Sequence, residues 1–240
     1  MDIEVTLKDF MGSDLTVVNA ARVSFDKESD WEKGFDNDLE GIYTNQRKGL
    51  LNYSDEKLIK YLAKHNHWSP FGHASIQFRI KAPVFVARQL VKHQIGLTWN
   101  EVSRRYVSDD PSIYCPDTWR AAASDKKQGS DEEKTVEWIK DSYPDDEDIR
   151  VGTVYNKAVE HAVKAYDMLI EGGVAPEQAR MVLPQSMFTE WYWSGTLYAF
   201  ARVCNLRCKP DAQYETRVVA NKIDKLAQDM FPVSWECLRT

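Results

Sequence analysis

Between Ala74 and Lys81 the chain alternates. Ala74, Ile76, Phe78 and Ile80 are apolar, and Ser75, Gln77, Arg79 and Lys81 are polar. A period of two predicts a strand with one buried face. At Pro83 the period changes. Val84, Val86, Ala87, Leu90 and Val91 fall on one arc of a helix, while Arg88, Gln89, Lys92 and His93 fall opposite, with Phe85 among them near the start. Pro83 suits the first helical position, because its φ is fixed and its missing N–H is not needed there. Gly96 ends the regular pattern.

The same reading runs along the rest of the chain. Ile3 to Thr6 and Leu15 to Val17 read as strands, and Ala20 to Val23 as a short helix. Glu28 to Asn52 mixes charge with glycine and reads as a loop with partial structure. Asp55 caps a helix to about Lys64, with Leu58, Ile59 and Leu62 on one side. Asp109 to Asp148 is rich in charged and small residues and holds Pro111, Pro116 and Pro144. It reads as a charged surface excursion with one short helix near Glu132 to Lys140. Val151 to Glu171 is a long helix closed by Gly172-Gly173. A short helix begins near Pro176 and ends before Pro184, since the residue before a proline avoids the α region. Met187 to Trp193 reads as a strand, and Leu197 to Leu206 and Asp211 to Met230 as helices. Strands and helices do not alternate strictly, which favours α+β over a doubly wound sheet.

Composition narrows the function. The 240 residues suit one large domain or two small ones, and 43% hydrophobic content supplies a core. A net charge of −6 argues against a nucleic-acid surface, since such domains are usually basic overall or in a stripe. No apolar run is long enough for a membrane helix, and the mixed opening MDIEVTLKDF shows no signal peptide, so a cytoplasmic protein is expected. Cys115, Cys204, Cys208 and Cys237 contain no CxxC pair. Core packing is the reading for Cys204 and Cys208, because a metal site needs more ligands than the sequence displays; no metal is expected.

The densest chemistry follows the amphipathic helix. Asn100-Glu101-Val102-Ser103-Arg104-Arg105-Tyr106 places polar groups on every residue but Val102. Arginine offers a planar fork that matches phosphate, and serine with loop N–H groups adds donors. A solvated polar face is the competing account of Arg88, Gln89, Lys92 and His93. His67 and His73, beside Pro70, are read from the residues alone as capping or turn positions.

These residues resemble the flavin-dependent thymidylate synthases. That family carries an Arg-His-Arg triplet followed by Asn-Glu-x-Ser-x-Arg-Tyr. Here the triplet is Lys92-His93-Gln94, the second half is complete through Tyr106, and the spacing to Ser103 is one residue longer. His67-Trp68-Ser69-Pro70-Phe71-Gly72-His73 is similar to the family's His-x-Ser/Thr-Pro-Phe-Glu-His, with Gly72 in place of Glu. Ala179-Arg180-Met181-Val182-Leu183-Pro184 matches Ala-Arg-x-x-Leu-Pro. Asn205-Leu206-Arg207 with Ala212-Gln213-Tyr214-Glu215 resembles Asn-Leu-Arg…Ala-Gln-x-Glu, with Asp211 where the family has His. Ala20-Ala21-Arg22-Val23-Ser24-Phe25 also fits.

The resemblance implies a single α+β domain over residues 1–240, with a mixed or antiparallel sheet flanked by helices. It implies reductive methylation of dUMP to dTMP, with bound FAD, NADPH as reductant and 5,10-methylenetetrahydrofolate as carbon donor. By position, Arg88, Gln89, Lys92, Glu101, Val102, Ser103, Arg104, Arg105, Arg180 and Arg207 bind dUMP, and Arg207 is catalytic. Ser69, Lys92, His93, Gln94, Glu101, Thr196, Tyr198 and Arg202 contact FAD, with His67 as an additional contact. The residues at Thr196, Tyr198 and Arg202 differ from the family's usual asparagines and arginine. The family forms homotetramers with sites between subunits; no nucleic acid or membrane partner is implied. Two rival readings stand beside this one: a related hydroxymethyl transfer or action on another pyrimidine nucleotide, and a non-catalytic nucleotide-binding protein.

Overall fold

A computed structural model of the chain describes residues 2–32, 50–107, 109–123, 129–141 and 147–239. Its elements are β1 (Glu4–Met11), α1 (Asp14–Arg22), α2 (Tyr53–Lys64), β2 (Ser75–Pro83), α3 (Val84–Leu90), β3 (Leu97–Glu101), β4 (Arg120–Ala122), β5 (Ser130–Thr135), β6 (Trp138–Asp141), β7 (Glu147–Arg150), α4 (Val151–Glu171), α5 (Pro176–Ala179), β8 (Phe188–Thr196), α6 (Leu197–Arg207), α7 (Tyr214–Met230) and α8 (Pro232–Leu238). Short 3₁₀ turns add Val23–Phe25, Ser69–His73 and Arg180–Val182.

The centre is a four-stranded sheet in the order β1-β2-β8-β3. Every pairing in it is antiparallel, so the α+β expectation is met. The alternation of residues 74–81 buries Ile76, Phe78 and Ile80 against α6 and α7, and Arg79 is exposed on the other face. β8 supplies Trp191 and Trp193, both fully buried, and Trp99 of β3 stacks on Trp191 at 4.4 Å. Phe78 meets Phe200 edge-on at 5.1 Å. Most aromatics of the 188–200 run are therefore core.

Several elements differ from the sequence expectation. Leu15 to Val17 lies inside α1, not in a strand. Ser13 starts that helix, its N–H donating to Thr16 Oγ1 at 3.0 Å, and Val17 and Val18 are fully buried on one face. The cap of α2 is Asn52, whose side chain accepts from Asp55 N; Asp55 sits three residues into the start. Pro83 closes β2 opposite Phe188 and caps α3, which ends at Leu90, short of Gly96. Gly96 (φ 75°) instead turns the chain into β3, and Asn100 and Glu101 belong to that edge strand. Residues 132–140 form β5 and β6, not a helix. The acidic run offers no apolar stripe at helical spacing, and Thr135, Trp138 and Ile139 favour extended backbone. Thus, among the described residues, 109–150 carries two antiparallel pairs, β4 with β5 and β6 with β7. Most of the Glu28–Asn52 loop, residues 33–49, lies outside the described residues.

Candidate active site

An open cleft of about 620 Å³ lies beside β8, α3 and the loop after β3. Arg88, Glu101, Val102, Arg104 and Arg180 line it, five of the ten residues expected to bind the nucleotide. Local folding explains the meeting. Val84 N donates to Met187 O at 2.9 Å and Phe85 N to Gln185 O at 3.1 Å, which ties the start of α3 to the segment after Pro184. α3 buries Val86, Ala87 and Leu90 and so turns Arg88 outward. Val102 N donates to Glu190 O at 2.9 Å, fixing the loop against β8.

The charges in the cleft differ in how they are held. Glu101 has both oxygens engaged, by Thr189 Oγ1 at 2.8 Å and Trp99 Nε1 at 3.0 Å. Glu190 is clamped by Arg79, through Nε at 2.7 Å and Nη2 at 2.8 Å. Arg104 pairs with Asp109 at 3.5 Å and donates to its carbonyl. Arg88 has no ion-pair partner among the described residues, and Arg180 makes only a 3.4 Å bond from Nε to Glu177 O. Two guanidiniums are thus left free to meet an anion, the geometry arginine is suited to.

Ser103 and Arg105 face their own loop. Ser103 Oγ accepts from Arg105 N at 3.3 Å and Nε at 3.2 Å, and Arg105 lies over the exposed Tyr106 ring at 5.1 Å. Of the two adjacent arginines, Arg104 is the one at the cleft wall.

Arg207 and His93 form a second centre. Arg207 closes α6 and donates from Nε to His93 Nε2 at 3.0 Å. An accepting Nε2 places the imidazole proton on Nδ1. Burial, then the charges of Arg207 and Arg202, hold His93 below the ordinary imidazole pKa. Burial likewise lowers Arg207. Neither residue lines the 620 Å³ cleft of its own chain. Nearby, Gln89 is half-buried, with Oε1 lacking a partner among the described residues, and Lys92 and Gln94 are exposed.

The expected flavin contacts gather partly at a smaller cavity of about 170 Å³, which His67, Trp68, Tyr198 and Arg202 help to line. Trp68 and Tyr198 approach at 6.2 Å between ring centres, and Arg202 is exposed beside them. Ser69 begins the adjoining 3₁₀ turn, and Thr196 caps α6, accepting from Ala199 N at 3.2 Å. Two aromatic rings with a free guanidinium fit a planar heterocycle joined to a pyrophosphate.

The sequence reading missed Lys81, Thr189 and Glu190 at the cleft. Lys81 was marked by its polar place in the 74–81 alternation. Thr189 and Glu190 had no such mark, because they sit before the aromatic run of β8.

Comparison with known proteins identifies the family. The model of the family described as thymidylate synthase complementing protein matches residues 6–233. The chain is 37% identical to a flavin-dependent thymidylate synthase of Kosmotoga olearia, over 98% of this chain and 92% of that protein. It is 35% identical to one from Thermus thermophilus, over 96% of this chain and 73% of the relative. Among solved structures, the UMP/dUMP methylase PolB from Streptomyces cacaoi bound with 5-Br dUMP superposes with a TM-score of 0.75 at 29% identity, covering 98% of this chain and 94% of that one. With 5-Br UMP bound, the same methylase gives a TM-score of 0.72. The chain belongs to the flavin-dependent thymidylate synthase family.

Proposed function

We propose that the protein methylates dUMP to dTMP, with FAD as cofactor, NADPH as reductant and 5,10-methylenetetrahydrofolate as carbon donor. The observation that carries this reading is the pair of uncommitted guanidiniums, Arg88 and Arg180, in a cleft where Glu101, Glu190 and Arg104 are already paired or hydrogen-bonded. They take the 5′-phosphate, while Glu101, fixed by Thr189 and Trp99, presents a rigid acceptor edge. Val102, Ser103, Arg104 and Arg105 shape the loop around the nucleotide, and Gln89 on α3 supports it from behind.

Arg207 keeps its Nη groups for the pyrimidine, because only Nε is used on His93. A guanidinium placed at the N3–C4 edge stabilises negative charge that develops there. The bound flavin supplies hydride chemistry. Ser69, Lys92, His93, Gln94, Thr196, Tyr198 and Arg202, with His67, hold and orient it. Arg207 and the cleft are separate within one chain, so we assign the complete site to an assembly of copies, a homotetramer. No helix among the described residues is long and apolar enough to cross a membrane; a cytoplasmic location is part of this proposal.

The test is a spectrum of the purified protein, then anaerobic addition of NADPH, the folate and dUMP. A yellow protein that forms dTMP by mass supports the reading. A colourless protein that takes up no FAD on titration defeats it. A second reading is methylation or hydroxymethylation of another pyrimidine nucleotide. It draws on the altered Lys92-His93-Gln94 triplet and on PolB, named for both UMP and dUMP. Product mass with UMP against dUMP separates the two.

A further inference from the structure

Outside the cleft, α6 and α7 bring together three side chains that the reaction does not use. Cys204 and Cys208 are one helical turn apart, with Cys208 N donating to Cys204 O at 2.9 Å, so both thiols leave α6 on one face. Asp224 of α7 faces them. One ligand atom from each of the three lies within 4.8 Å of the others. We propose that Cys204, Cys208 and Asp224 form a binding site for a thiophilic divalent ion of the zinc class.

The geometry suits such an ion. Zinc binds sulfur at about 2.3 Å and carboxylate oxygen at roughly 2.0–2.2 Å, so its tetrahedral ligands stand within ~4 Å of one another. The three groups reach that spacing by small side-chain adjustments. The carboxylate is already oriented. Trp235 Nε1 donates to Asp224 Oδ1 at 2.8 Å and Arg239 Nε at 2.6 Å, whereas Oδ2 meets only Arg239 Nη2, at 3.5 Å. Oδ1 is firmly anchored and Oδ2 only weakly held, the arrangement in which outer partners aim a ligand. Two thiolates and a carboxylate carry three negative charges. A divalent ion and the Arg239 guanidinium offset them. Paired thiolates select zinc over magnesium or calcium. The half-buried Cys208 leaves the fourth position to solvent. Arg207 lies between the two cysteines, so the ion would tie its turn of α6 to α7.

The test uses full-length protein, stripped of metal and kept reduced, then titrated with Zn²⁺ against a chromogenic chelator and with Co²⁺ as a spectroscopic probe. One ion per chain is expected, with a sulfur-to-cobalt charge-transfer band. Mg²⁺ should not compete. Arg239→Gln should weaken binding by roughly 10- to 100-fold, and Cys208→Ser more strongly. Zn²⁺ should shield Cys208 from alkylation, mapped by mass spectrometry, while the exposed Cys115 reacts as before. The single Cys208→Ser variant keeps the test sound if a change at the buried Cys204 impairs folding. Absence of stoichiometric uptake overturns the proposal. So does uptake of equal affinity in Cys208→Ser, which would put the ion elsewhere.

Discussion

Arg207 donates from Nε to Nε2 of His93 at 3.0 Å, so one edge of the guanidinium is held by the protein and the other is open to a ligand. Arg207→Gln should lower kcat by about 10²–10³-fold, the usual effect of removing a donor that faces developing charge. The same variant should raise the His93 pKa. Burial, the largest cause of its depression, remains, but the next largest, the Arg207 charge, is gone. Histidine-detected NMR titration of wild type and variant checks this; superimposable His93 curves would end the argument.

His93 also predicts a pH effect on stability. Its folded pKa lies below the ordinary value of about 6.5, so the unfolded chain takes up the proton first. The stability contributed by the neutral ring is full above that ordinary value and is lost as pH falls through the folded pKa. Thermal melts between pH 8 and 5 should show a steeper acid loss for wild type than for His93→Gln. Parallel profiles would show that the ring is not held neutral.

Arg180 should behave as a binding residue and not as a structural one. Its single 3.4 Å bond to Glu177 O contributes little, and its side chain faces the cleft. Arg180→Ala should leave Tm within about a degree or two of wild type, as surface changes usually do. It should weaken dUMP binding by roughly 10- to 100-fold, the range for a lost charge-assisted bond. Arg180→Lys should restore only part, because the fork is missing. Calorimetric titration with dUMP is the measurement, and unchanged affinity in the alanine variant refutes the assignment.

Much of this was legible in the sequence, for identifiable reasons. The alternation at 74–81 forced a half-buried strand, and the apolar arc from Val84 forced a helix with Arg88 outward. The Asn100–Tyr106 segment supplies Glu101, Val102 and Arg104 to the cleft, whereas Ser103 and Arg105 turn to each other, which local chemistry does not foretell. Other features depend on distant partners. That Glu101 is fixed by Thr189 requires knowing that β3 pairs with β8. The third member of the cysteine cluster, Asp224, is supplied by a different helix. The 132–140 misreading arose because charged residues carry no periodic signal in either conformation.

β3 depends on a glycine in its partner strand. A Cβ on Gly195 would collide with Gly96 O, a backbone atom that cannot swing aside, and with the Leu97 side chain, and would crowd Leu97 Cα at 3.2 Å. Gly195 is the register partner of Leu97. Gly195→Ala should therefore push β3 from β8 and cost about 1–3 kcal/mol, the range for overpacking. Because Glu101 ends β3, nucleotide affinity should fall together with Cm in denaturant. A variant with unchanged Cm would mean the strands separate without strain.

Arg22, in the N-terminal segment Ala20–Phe25, sets the last prediction. Arg22 of α1 donates from Nε to Asp55 Oδ1 at 2.9 Å, and Asp55 has no exposed side-chain surface. Ser29 Oγ at 3.1 Å and Asn52 Nδ2 at 2.7 Å complete the shell of that carboxylate. Removing Arg22 leaves a buried charge without its counter-ion, which typically costs about 3–5 kcal/mol. Arg22→Ala should thus lower Cm sharply. Adding Asp55→Asn should recover part of the loss, since the neutral amide needs no cation. Bound dUMP should change neither comparison, because Arg22 lies outside the cleft lining. If the double variant is no more stable than Arg22→Ala, the penalty comes from lost packing and not from the stranded carboxylate.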